Sequence, residues 1–337
     1  MSNIFQQRSP VLKSFSLQSA IVVPFVALIV GAVGVVGYLS YRSGQESVEN
    51  LAKQLMLNVG DRTKQNLDSY FAIPKSVALT DAALLRQKRL DGYDLDMMSQ
   101  HFVQQINIFP RLSGISIANE NGDFFSIEKP VEKSLTIRKR NVTSGDKYFY
   151  RYIADQDGKS PILQETRTNY NPHNDTPSNP WYTQAKNEPN GVWRLGVSLA
   201  QGQDKPILYT AYFLPFYNIA GQFQGVLSSA IYLTHIGDFL RNLNISKNGQ
   251  IFLIERNGLL VATSTDEVPF DQTNRNTLAE NVNTRHHRLP ALQSQNPLTA
   301  ATVQLLSKQP LELSQIKQPQ HLRVWLNDTQ YFVEVTP

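Results

Sequence analysis

From Ser14 to Tyr41 the chain carries no charged residue, and the heart of that stretch, Ala20 to Leu39, reads AIVVPFVALIVGAVGVVGYL. About 20 helical residues cross a hydrocarbon core about 30 Å thick, so the pattern predicts one transmembrane helix over 20–41. Beyond Arg42 the pattern becomes amphipathic. Val48, Leu51, Leu55 and Val59 recur at helical spacing, and Leu67, Tyr70 and Phe71 resume the stripe after a polar interval. No proline follows until Pro74, so a stalk helix of about 30 residues, about 45 Å long, is expected to stand clear of the membrane. More helix is expected at 77–89 and 94–107, stopped by Pro110.

The period then shifts toward two. Gly114-Ile115-Ser116-Ile117-Ala118 leads through Asn121-Gly122 into Asp123–Ile127, and Ile251–Ile254 leads through Asn257-Gly258 into Leu259–Thr263. Apolar runs flanking Asn-Gly predict hairpins whose two central residues both have positive φ. Aligning Ile115 with Ile251 brings the two Asn-Gly pairs into one frame, which suggests a duplicated unit, with coincidence between ordinary hairpins as the alternative. Strands are also expected at 192–197, 206–217 and 223–233, with a short helix at 236–243. The fold class is therefore α+β: an N-terminal transmembrane helix, a long stalk helix, and two units with antiparallel sheets. The expected parts are 1–19 (cytoplasmic N-terminus), 20–41 (span), 42–110 (stalk and helices), 111–240 (distal unit) and 241–337 (proximal unit).

A cleaved secretory signal is the rival to an anchor. Signals have apolar cores of about 7–15 residues before a small-x-small cleavage site. Here the core is longer, and bulky Tyr38-Leu39-Ser40-Tyr41 follows it, so an uncleaved anchor is expected. Arg8 and Lys13 precede the span without an acid, which places the N-terminus in the cytoplasm and the bulk of the chain outside the plasma membrane. The 337 residues include no cysteine, and the net charge of +4 is mild. Arg138-Lys139-Arg140 is a short basic cluster, read as a solvated surface patch, and no nucleic-acid partner is expected.

Pro180-Trp181-Tyr182-Thr183-Gln184-Ala185 resembles the Pro-Trp-Tyr-x-x-Ala loop of double Cache extracytoplasmic sensor domains. The segment from Ile245 to Ser264 is similar to the opening of the membrane-proximal Cache unit of bacterial receptors, especially cyanobacterial-type ones. The order of parts agrees from Arg42 onward. The resemblance implies two tandem PAS-like units, a small ligand in the distal one, and Trp181 and Tyr182 as pocket walls. The alternative is that these two rings only anchor a loop over the sheet. Amino-acid-binding members carry Arg-x-Trp-Tyr and a tyrosine five residues before the arginine, whereas this chain has Asn179 and Asn174 there. Ser198 stands near the place of an expected Asp. Asparagine lacks the charged fork that holds a carboxylate, so an ordinary α-amino acid is disfavoured, and Arg167 and Arg194 are candidate substitute cations. Family members continue into a last strand pair, a second span and an output module. The sequence stops before them, so a fragment or truncated receptor is expected, with 330–335 as an unpaired strand.

No Gly-x-Ser-x-Gly, His-Glu-x-x-His or phosphate-loop motif occurs. His286-His287 is read as an exposed loop, and Asp155–Ser160 as a hairpin turn rather than a calcium loop. The expected function is small-molecule sensing by a membrane-bound receptor module. No catalytic activity, metal or cofactor is expected, and a homodimer is. A membrane-anchored enzyme and a structural ectodomain without a ligand are the alternatives.

Overall fold

The computed structural model describes residues 17–129, 134–174, 180–198, 207–243, 245, 248–270, 288–308 and 313–337. Helix α1 runs unbroken from Leu17 to Arg86. It is long and apolar enough to cross a membrane. Met1–Met56 and Leu57–Pro337 separate as two units. Within the first, the apolar side chains from Ile21 to Leu39 are exposed along the helix. This suits a lipid environment, since every backbone polar group of a helix is satisfied internally.

The stalk does not end at Pro74, and the segment expected as a separate helix at 77–89 is the continuation of α1. Proline inside a helix costs about 3 kcal/mol. Burial outweighs it here: Tyr70, Val77, Ala78 and Leu85, on either side of Pro74, are all buried. Fully burying such side chains contributes about 1.5–3 kcal/mol each. Helix α2 (Leu95–Ile108) follows, capped by Asp94, whose carboxylate accepts from the amides of Asp96 and Met97.

Eight strands then form one antiparallel sheet. They are β1 (Gly114–Asn119), β2 (Phe124–Glu128), β3 (Leu135–Asn141), β4 (Asp146–Ala154), β5 (Ile162–Arg167), β6 (Val192–Ser198), β7 (Ile207–Tyr217) and β8 (Phe223–Tyr232). Their order is β5-β4-β3-β2-β1-β8-β7-β6, so the pairing of β1 with β8 joins the two halves. The sequence reading assigns no strand to 135–167. The alternation that makes β3–β5 strands is hidden by arginines and glutamates on one face. Between β5 and β6 lies α3 (Trp181–Lys186).

One face of the sheet carries Ile115, Ile117, Phe125, Ile127, Ile137 and Leu227 into a core with α1 and with Met98, Phe102 and Ile106 of α2. The same core takes in Ile236 and Leu240 of α4 (Thr234–Asn242), as well as Ala262 and Phe270. Beyond α4, β9 (Phe252–Ile254) pairs with β10 (Leu260–Thr263), α5 (Pro297–Lys308) follows, and β11 (Gln320–Leu326) pairs with β12 (Thr329–Val335). Among the described residues this second part holds two separate two-stranded ladders. The last strand is not unpaired. It turns back on β11 through Asn327-Asp328, both at positive φ (47° and 60°), as a two-residue primed turn requires.

The Asn-Gly hairpins form, with a different turn from the one expected. The Asn119 amide donates to the Asp123 carbonyl (3.1 Å) and the Gly122 amide to the Asn119 carbonyl (3.0 Å). Gly122 has φ +83° while Asn121 does not have positive φ. This is a three-residue loop with glycine in the left-handed position. The same two bonds recur at Glu255–Leu259, Asp155–Lys159 and Asn218–Gln222, with glycine at 258, 158 and 221. Four copies, two of them outside the aligned pair, make the turn a general device of this fold and not a mark of duplication by itself. The Asp155 carboxylate accepts from the amides of Asp157 and Lys159, which makes that segment a hairpin turn.

His286 and His287 lie outside the described residues. Arg288, the next residue, is buried, ion-paired to Glu255 and bonded to the Leu260 carbonyl (2.9 Å).

Candidate ligand site on the outer sheet face

Opposite the helices, the register aligns one row across all eight strands. It runs Glu165, Arg151, Arg138, Ser126, Ser116, Ser228, Phe213 and Val192, from β5 to β6. Side chains in such a row share a face, so this face is polar over six consecutive strands. The neighbouring row holds Glu128 on β2 and Arg194 on β6, and between them stand Gly114, Ala230 and Ala211. Three of the smallest residues between two charged ones form a candidate trough, of whose floor Ala230 is partly exposed while Gly114 and Ala211 are buried. Tyr209 and Tyr232, paired across β7 and β8, close its end, and Gly196 leaves room for the Tyr209 ring, where a Cβ would lie 2.5 Å from it.

The basic cluster is therefore not a solvated patch. Arg138 is half-buried and bonds Glu128 at 2.7 Å, with about a third of its side-chain surface (31%) accessible. Lys139 points to the other face and pairs with Asp96, while Arg140 donates to the carbonyls of Gly122 and Lys147. Burial works against the Arg138 charge, but the Glu128 carboxylate outweighs it by charge and hydrogen bond, and the guanidinium pKa rises. Burial raises the pKa of the Tyr232 and Tyr209 hydroxyls, and Glu128 adds to both shifts, so each stays protonated at neutral pH. The Ser126 oxygen and the Nε of Arg151 are buried without a hydrogen-bond partner, whereas the Tyr232 hydroxyl lies against the Glu128 carboxylate. Buried polar groups are nearly always satisfied, so two orphans on one face mark places where a water or a ligand atom can bond.

Farther along, Glu165 bonds Arg167 and pairs with Arg151 at 2.9 Å. The Arg167 hydrogen bond holds its carboxyl below the usual carboxylate range against partial burial, with the charges of Arg167 and Arg151 helping. A carboxylate depressed on folding contributes stability that is complete above its unfolded pKa, about 4.3, and is lost as pH falls through the folded value. Replacing Glu165 with Gln is therefore expected to lower Tm at neutral pH and leave it nearly unchanged in acid, which flattens the acid limb of a plot of Tm against pH. An unaltered acid limb would refute the assignment.

Trp181 opens α3 and packs on Phe124 and Phe213, beside the polar row. Tyr182 is buried, stacks on His173 (4.6 Å) and donates its hydroxyl to Glu120 at 3.0 Å, which ties α3 to the β1–β2 turn. Arg194 donates to Gln184 of α3 (2.7 Å) and lies close enough to Tyr209 to lower its pKa against the larger effect of burial. Arg167 sits on edge strand β5 over the Phe149 ring. Ser198 ends β6 opposite Ile207, with its side chain outside what is described, and Asn179 lies outside the described residues. The structure thus gathers Trp181, Arg194 and Arg167 on the outer face and sends Tyr182 into a packing role. Sequence reasoning missed Glu128, Arg138, Tyr209 and Tyr232. The Leu135-Thr136-Ile137-Arg138 alternation, which sets Arg138 on the face opposite Leu135 and Ile137, was the local signal.

No protein-family model matches the sequence, and no curated protein matches it. Solved structures do. The ligand-binding domain of the Campylobacter jejuni chemoreceptor Tlp3, in complex with 4-methylisoleucine, is similar at TM-score 0.48 and 11% identity, over 86% of this chain and 85% of that one. The ligand-binding domain of the Pseudomonas aeruginosa PAO1 amino acid chemoreceptor PctC, in complex with GABA, is similar at TM-score 0.45 and 14% identity, over 82% and 88%. A structure described as the extracellular domain of a histidine kinase, soHK1S-Z6, is similar at TM-score 0.45 and 14% identity, over 84% and 89%. None of these similarities assigns a ligand to this chain.

Proposed function

We propose that this chain is a membrane-anchored, extracytoplasmic sensing module of the double Cache kind, and that it binds a small molecule in the outer-face trough. The observation that carries the reading is the half-buried Glu128–Arg138 pair beside a floor of Gly114, Ala230 and Ala211. Pockets of this class combine apolar walls with a few converging polar groups, and Trp181, Phe124 and Phe213 supply the apolar part. The basic residues Arg8 and Lys13 support a cytoplasmic N-terminus at the plasma membrane. Val48, Leu51 and Leu55 of α1 are exposed and apolar, which suits pairing with a second copy anchored in the same membrane.

A thermal-shift screen of the full chain in lipid nanodiscs tests this reading. A ligand is expected to raise Tm, and Ala230→Leu, which fills the trough without touching a charge, is expected to abolish the shift. Stabilisation that survives Ala230→Leu would place binding elsewhere, and no stabilisation by any metabolite would favour a structural ectodomain.

A further inference from the structure

Donors exceed acceptors throughout the trough. Among the described residues of these two rows and of β5, Arg138, Arg151, Arg167 and Arg194 stand with Glu128 and Glu165, and Glu120 lies farther off, held by Tyr182 and Lys186 of α3. Glu128 and Glu165 already hold arginines: Glu128 bonds Arg138, and Glu165 bonds Arg151 and Arg167 together. A ligand ammonium group would have to displace a guanidinium from one of these carboxylates. A ligand carboxylate meets the opposite situation. Each guanidinium has five N–H groups in a fixed fork, more than one carboxylate can occupy. The Nε of Arg151 is a buried donor without an acceptor, and the Ser126 hydroxyl is buried without a partner. Beside these donors Phe124 and Phe149 are buried in one aromatic cluster with the partly buried Tyr170 and Trp181.

We propose that the trough binds a small organic carboxylate with an apolar body and no ammonium group. This deepens the reading of the trough as the ligand site and rests on it. The carboxylate lies across Arg138, within reach of Ser126 and Tyr232, and the apolar body lies toward Trp181. Charge complementarity supplies the orientation, because a carboxylate accepts a bidentate pair from arginine whereas an ammonium finds no unpaired acid among the described residues of the face.

Three probes with one carbon skeleton separate the possibilities: 3-phenylpropionate, L-phenylalanine and 2-phenylethylamine. A second set is 4-methylpentanoate, L-leucine and isoamylamine. Binding is measured on the full chain in nanodiscs by isothermal titration. The expected result is that the carboxylates bind at least tenfold tighter than the amino acids, that the amines do not bind, and that Arg138→Gln weakens the carboxylates at least tenfold. Ser126→Ala, which removes one small hydroxyl and disturbs no ion pair, is expected to weaken them severalfold and guards against misfolding of the arginine variant. Tighter binding of an amino acid or an amine, still lost on Ala230→Leu, would overturn the ligand class and leave the site standing. Carboxylate binding that ignores Arg138, Ser126 and Ala230 would overturn the site itself. Binding by no member of either set would also overturn the ligand class.

Discussion

Replacing Gly225 with alanine is expected to unfold the sheet or to lower its stability by about 4 kcal/mol or more, beyond the usual range for a point substitution. Gly225 lies at an irregularity of β8, where Phe216 faces Gly225 but Tyr217 faces Phe223. Its φ is +153°, and a Cβ built there would lie 2.2 Å from the Ala118 carbonyl oxygen and 2.8 Å from the Asn119 Cα. Both atoms are backbone of β1, the partner strand, so neither can rotate away. Relief requires β1 and β8 to separate, and that pairing holds the two halves of the sheet together. Gly221→Ala is the matching control. It also has positive φ (+78°) but nothing within 4 Å of its Cβ, so only the left-handed backbone is penalised, by about 1–2 kcal/mol. Thermal unfolding of both variants followed by circular dichroism checks the contrast. Similar losses for the two would remove the steric argument.

The second large effect is expected at Asp81. Its side chain is buried on α1, and Oδ1 accepts from His101 Nε2 (2.7 Å) and Gln105 Nε2 (2.6 Å) of α2. One carboxylate thus bonds both helices under the sheet. Alanine there leaves His101 and the Gln105 amide without their acceptor, at about 1–3 kcal/mol for each buried partner. For a domain of this size that is a fall in Tm of about 4–12 °C. Asp81→Asn keeps the shape and one oxygen acceptor and is expected to lose clearly less. Equal losses would show that the space filled matters and the acceptor does not.

Legibility from sequence follows the range of the interactions that decide each element. The apolar helix and the start of α1 are local, set by a charge-free run and a helical stripe, and the structure has one continuous helix there, long and apolar enough to cross a membrane. Pro74 misleads because its cost is local while the burial of Val77 and Leu85 that offsets it depends on strands far along the chain. The strands with continuous apolar runs, β7 and β8, stand out. β3–β5 do not, because half their positions serve a polar face. Asn-Gly correctly marks turns, yet the glycine alone takes positive φ, while the two-residue primed turn sits at Asn327-Asp328, which has no glycine to announce it. The site is the least legible part. Its aromatic loop is visible, but Glu128 meets Arg138 across a strand pair, and the trough exists only because Gly114, Ala211 and Ala230 come from three different strands.

Tyr70 gives α1 a mechanical property as well as a place in the core. Pro74 has no amide hydrogen, so the Tyr70 carbonyl lacks the helical partner that every neighbouring rung has. The hydroxyl of the same residue donates to the Tyr232 carbonyl at 2.6 Å, on the strand residue whose ring closes the ligand trough. The rod is thus fastened to the trough wall at the rung where its own ladder is open. A missing backbone bond removes one restraint on bending at the rung that is tied to β8.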